Sequence, residues 1–405
     1  MSKPVAANLI RRAAFFPGPA VNRCLQTRVS RCTWGLLLGI WLSVAVWLPA
    51  PASARDAQSL ELSVPSSPRP RQTPEGIELV YEVHLANRTP DELRPTQVDV
   101  IDESSGGVVQ SYSGEKLDRH LDLSGIQHSR SEVGAIDPGK HAVLFVDALI
   151  RGRTAAVVSL RVTYQRPGGD SRVVQGGDAR VEASQAPDLR PPLRGGPWVA
   201  VYDPSWERGH RRVAYSTNGR LTIPGRFAVD WVMLDRHGHQ AIPHATRAAE
   251  AFAYGQPVLA VGAGTVVRLR DDAPERSRLT DPVRDGEGNH VTLALSDGRF
   301  AHYGHLRPGS AKVVLGGRIE AGDVIAEVGF SGTASDPQLH FAVTDGPDEP
   351  ASEGLPFEFD LYEEIGQFDD VAHMGSRKWT HARRAKVVSA APLSMSVVRF
   401  PPRVQ

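Results

Sequence analysis

Short runs of alternating apolar and polar residues, cut by glycine and proline, dominate this chain and leave little room for long helices. Glu78-Leu79-Val80-Tyr81-Glu82-Val83-His84-Leu85 alternates with a period of two, the repeat of a half-buried strand. Similar runs fall at 97–101, 108–112, 141–146, 155–164 and 171–174. Turn signals separate them, among them Asn87-Arg88-Thr89-Pro90, Asp137-Pro138-Gly139 and Pro167-Gly168-Gly169. With 38 Gly and 31 Pro in 405 residues, turns and strands are favoured throughout. The fold class is therefore all-β, and residues 57–185 predict a small immunoglobulin-like sandwich.

The N-terminal part differs in kind. Residues 34–50 read WGLLLGIWLSVAVWLPA, preceded by Arg23, Arg28 and Arg31 and followed by Pro51-Ala52-Ser53-Ala54. A basic flank, an apolar run and small residues at the end make a secretory leader over 1–54, cleaved after Ala54. The long stretch before the run predicts a true start nearer Val29. A mature chain without its leader would be secreted or periplasmic and would lack both cysteines, Cys24 and Cys32. It would meet a membrane only through that leader, if uncleaved. The 46 basic and 46 acidic side chains cancel, which argues against nucleic acid as a partner.

Proline-rich residues 186–195 predict a linker. Residues 196–385 again read as strands. Residues 257–262 and 264–269 predict one hairpin, and 289–295 with 300–303 a second across Ser296-Asp297-Gly298. Further strands are expected at 312–315, 324–328 and 340–343, and a short helical stretch at 246–252. The segment 271–288, DDAPERSRLTDPVRDGEG, reads as a solvated loop, and residues 386–405 as an irregular tail.

Three pieces of this second region stand in a telling order: Arg226-Phe227-Ala228-Val229-Asp230, His302-Tyr303-Gly304-His305-Leu306 and Gln338-Leu339-His340-Phe341. Around them lie Gly255-Gln256-Pro257-Val258-Leu259-Ala260, Gly288-Asn289-His290-Val291 and Val328-Gly329-Phe330-Ser331-Gly332. In order and spacing this resembles the lysostaphin-like, LytM-type zinc metallopeptidases that cut peptide cross-links of bacterial walls. The resemblance implies an antiparallel β core with an open groove, zinc as cofactor, and peptidoglycan stem peptides or an envelope hydrolase as partner.

By that resemblance the metal ligands fall at 226, 230 and 340, and the catalytic histidines at 305 and 338. Asp230, His340 and His305 match. Arg226 cannot ligate, because a protonated guanidinium has no lone pair. Gln338 can donate a hydrogen bond but cannot carry a proton. Arg226 therefore argues against zinc occupancy, and Arg226 paired with Asp230 would make the motif structural. His210, upstream of the motif, is the foremost substitute ligand, ahead of His237, His239, His244 and His302. Tyr303 is a candidate groove contact, and the acids of 353–362 read as solvated. Two functions stay open: an envelope protein with a degenerate peptidase-like domain that binds wall peptide or a partner hydrolase, and an active zinc endopeptidase.

Overall fold

The computed structural model describes residues 60–402 apart from 124–133, 154, 184–185, 204, 207–208, 218–219, 284–285, 287 and 381–384. The leader read at 1–54 lies outside the described residues. The described residues belong to one compact unit.

Nine N-terminal strands make two antiparallel sheets. One holds Leu60–Ser63, Arg69–Thr73, Gly76–Asn87, His141–Ile150 and Leu121–Asp122; the other holds Arg94–Asp102, Gly107–Ser113, Val157–Gln165 and Ser171–Arg180. They share one core, in which Leu79, Tyr81, Val83 and Leu85 face Val98, Val100, Leu160 and Val162. The sandwich is thus present, while its immunoglobulin-like character rests on the sequence reading alone. The Gly76–Asn87 strand is buried on both faces. Its odd residues fill the sandwich core, whereas Val80 packs into the core of the C-terminal half and Glu82 is buried beside it.

The C-terminal half is built on an eleven-stranded sheet. Its centre runs Gly195–Val201, Val229–Met233, Leu339–Thr344, Phe300–Leu306, Asn289–Leu295 and Gly264–Arg270, each strand antiparallel to the next. Register does the positioning. Asp230 lies opposite His340, and His340 lies opposite Gly304. A Cβ on Gly304 would approach the His340 Cβ to 3.2 Å, so glycine there leaves room for the imidazole.

Several expectations need correction. Residues 257–262 and 264–269 are not one hairpin. Pro257–Leu259 pairs with Val324–Glu327, and Gly264–Arg270 joins the large sheet. The backbone N–H groups of Leu259 and Ala260 go to Pro192 and Asp323, leaving neither for the next run. Lys312–Leu315 is not a strand, and Val314 and Leu315 face solvent. The helical stretch near 246–252 is a single 3-10 turn, Ala248–Glu250. The charged segment after Arg270 is partly packed: Arg276 is buried with its guanidinium 3.7 Å from the Phe330 ring centre, and Asp271 accepts from the N–H groups of Ser310 and Ala311.

The largest correction is the tail. Ala385–Ala390 and Ser396–Phe400 are strands, and Ser396–Phe400 lies between Glu358–Gln367 and Gly195–Val201 inside the sheet. Val397 and Val398 are fully buried there, on opposite faces, as period-two alternation requires. The expected linker also pairs: Asp188–Leu189 lies parallel to Glu358–Phe359.

Candidate metal centre

Asp230 projects from the Val229–Met233 strand and collects three neighbours. His340 Nδ1 lies 2.9 Å from Asp230 Oδ1, and His210 Nε2 lies 2.9 Å from Oδ2. Gln338 Nε2 donates to the same Oδ2 at 2.8 Å. Burial alone would raise the Asp230 carboxyl, but His210 and then His340 bring it well below its ordinary value. The groove beside these residues is lined by Trp206, His210, Asp230, Ser335, Asp336 and Gln338.

His210 arrives from the 3-10 turn His210–Arg212 and fits against Gly225, where a Cβ would come within 2.7 Å of its own Cβ. One donor atom from each of His210, Asp230 and His340 lies within 4.8 Å of the others, the one such cluster among the described residues. His210, weighed from sequence as a substitute ligand, thus lies in one cluster with Asp230 and His340.

Arg226 is elsewhere. It sits on the 3-10 turn Pro224–Phe227 and points away from Asp230, which corrects the expected Arg226–Asp230 pair. Its Nε and Nη2 donate to Glu82 Oε2 at 3.0 and 2.7 Å, and its Nη1 pairs with Glu353. Arg211 Nε also reaches Glu82, at 3.2 Å. The reason is satisfaction. A buried guanidinium needs several acceptors, and both Asp230 oxygens are already engaged. Burial would raise the Glu82 carboxyl, yet Arg226 and Arg211 bring it below its ordinary value. Glu353, read as solvated, is buried in this ion pair.

His305 adopts φ 61°, and its Nδ1 lies 3.0 Å from the carbonyl oxygen of Ser331. A carbonyl only accepts, so Nδ1 carries the hydrogen and Nε2 keeps a lone pair. Burial lowers its pKa to about 4, so the ring is neutral near pH 7. Its ring centre is 5.8 Å from that of His340.

The remaining candidates lie outside the cluster. His302 is buried between the hydroxyls of Thr292 and Thr344, at 3.1 and 2.6 Å. His239 bonds Asp235, and neither it, His237 nor His244 joins the donor set. Tyr303 is fully buried, its hydroxyl accepting from the N–H of Val261, and is no groove contact.

Glu349 was not legible in the sequence. Its Oε1 lies 2.9 Å from His340 Nε2. Burial opposes charge on both, but the pair prevails: His340 is raised to about 10 and Glu349 is lowered to about 2. A carboxylate on Nε2 fixes Nδ1 as the nitrogen that faces Asp230. Outer carboxylates hold metal-binding histidines in this way. Two imidazoles and a carboxylate suit zinc, so the donor set fits that ion.

A His–Asp–His cluster in a groove on an antiparallel sheet is a candidate metal centre. Residues 247–350 match Peptidase family M23, a family typically of zinc metallopeptidases. That stretch holds His305, Gln338, His340 and Glu349, while His210, Arg226 and Asp230 precede it. Solved structures with similarity include the catalytic domain of EnpA, a prophage-encoded M23 protein from Enterococcus faecalis, at 20% identity over 41% of this chain and 92% of that one, TM-score 0.25. The catalytic domain of lysostaphin from Staphylococcus simulans matches at 18% identity over 40% and 88%, TM-score 0.22. A chain of the SpoIIIAH–SpoIIQ complex matches at 16% over 42% and 96%, TM-score 0.26. No curated protein matches the chain.

Proposed function

We propose that this is a secreted or periplasmic envelope protein whose M23-type domain holds zinc through His210, Asp230 and His340 and binds peptidoglycan stem peptides or a partner wall hydrolase without efficient cutting. The observation that carries this reading is the Gln338 amide on Asp230 Oδ2 at 2.8 Å. The side chain in place of the second histidine is committed to a ligand carboxylate and takes up no proton.

When bound, a divalent cation polarises a peptide carbonyl and makes water more acidic. The chain's own residues divide the rest. His210, Asp230 and His340 hold the cation, and Glu349 orients His340. His305 accepts a proton at Nε2. Gln338 keeps Asp230 in place. Losing one proton-transfer group costs about 10²- to 10⁴-fold in rate, so binding outlasts cutting.

The neutral His305 with its free Nε2 favours a second reading, an active zinc endopeptidase with one base. Zinc analysis and wall digestion separate the two. The first reading expects about one zinc per chain, as one cluster implies, lost in Asp230→Ala, with wall peptide bound and little product released. Rapid digestion of purified wall, stopped by a chelator, would establish the second reading and defeat the first.

A further inference from the structure

We propose that the N-terminal sandwich is a working part of the metal centre: it holds the turn that carries His210, so the third ligand is in place only while the two halves are docked. The inference rests on the reading of His210 as a ligand.

The turn His210–Arg212 is gripped from the sandwich by both residues that follow His210. Arg211 is 4% exposed. Besides Glu82, it donates through Nη2 to the carbonyls of Tyr81 and Val146 at 2.8 and 2.6 Å. Arg212 donates to the carbonyl of Arg119 at 2.6 Å and lies 4.0 Å above the centre of the Phe145 ring. Every one of these partners belongs to the sandwich. From the other side the turn rests on Gly225 of the peptidase half, with no space for a side chain between them.

Glu82 joins the two sets of contacts. It bonds Arg211, beside the ligand, and Arg226, beside Gly225. Arg226 occupies the motif position where the resemblance expects a ligand. Here that position fastens the sandwich, and the ligand comes from a turn the sandwich fixes. Glu82, Arg211 and Arg212 are positioning residues, acting on the metal only through His210.

The test uses the full chain, with zinc affinity read by competition with a chromogenic chelator and cobalt(II) as a spectroscopic probe of the ligand set. His210→Ala, Glu82→Gln and Arg212→Ala are compared. Outer partners of ligands typically contribute 10- to 100-fold to affinity. Glu82→Gln and Arg212→Ala are each expected to weaken zinc at least about tenfold on that basis. Their cobalt spectra should shift toward that of His210→Ala, while the chelated Arg212→Ala protein melts as the parent does. Arg212→Ala keeps the test meaningful if Glu82→Gln fails to fold. Parental affinity and spectrum in Arg212→Ala, with both altered in His210→Ala, overturn the role of the sandwich and leave the ligand reading standing. Parental affinity in His210→Ala overturns both.

Discussion

Arg226 and Glu82 lie 144 residues apart in sequence, yet Nη2 of the first is 2.7 Å from Oε2 of the second, and both are buried. The contact crosses from the C-terminal half to the sandwich. It turns an apparent lesion in a metal-binding motif into an internal fastening.

Arg226→Ala would leave buried Glu82 with Arg211 alone and buried Glu353 without the guanidinium it pairs with. Removing one partner of a buried pair costs about 3–5 kcal/mol. Urea denaturation should show a loss of that size; a loss below about 1 kcal/mol, the range of exposed pairs, would mean the cluster is not structural. Arg226→His should likewise fail to add a ligand, because the side chain starts toward Glu82. Zinc affinity measured in that variant should not rise.

Glu349→Gln retains the shape of the partner of His340 but removes its charge and allows the wrong ring nitrogen to face Asp230. Zinc affinity should fall about 10- to 100-fold, read by chelator competition. Unchanged affinity would reduce Glu349 to a surface-facing neighbour.

The chelated protein should carry a pH signature. His340 is raised from 6.5 to about 10, so its contribution is full below about pH 6.5 and is lost as pH rises through about 10. Glu349 is lowered from 4.5 to about 2, so its contribution is present above about pH 4.5 and is lost as pH falls through about 2. Urea midpoints of metal-free protein should therefore decline between neutrality and pH 10. A flat profile over that window, or the same slope in His340→Gln, would contradict the assignment.

Gln338→His would supply a second proton carrier beside His305 at the cost of one hydrogen bond to Asp230. Release of soluble fragments from purified wall should rise by about 10²-fold or more. An equally inert variant that still binds zinc would place the block elsewhere in the groove.

Much of the sheet was legible because its strands obey period two locally. Asn289–Leu295 and Phe300–Leu306 pair across Ser296-Asp297-Gly298 as expected. The last two strands were not, although Val387-Val388 and Val397-Val398 carry β-branched residues. Pro392, Pro401 and Pro402 broke the pattern, and Gly195–Val201, one partner of Ser396–Phe400, lies far away in sequence. At the site, Asp230, His340 and His305 were readable as motif residues, and His210 only as a histidine near a gap. Glu82, Glu349 and Glu353 gave no signal. A carboxylate acquires its meaning from the cation it meets, and that meeting is decided by tertiary packing.

Ser396–Phe400 has a neighbour on each side within the large sheet. The sheet therefore cannot close until Ser396–Phe400 has been made. A prematurely terminated product would leave Glu358–Gln367 and Gly195–Val201 with bare edges, a ready template for aggregation. Loss of Ser396–Phe400 alone would thus open the sheet through its interior, as loss of any central strand would.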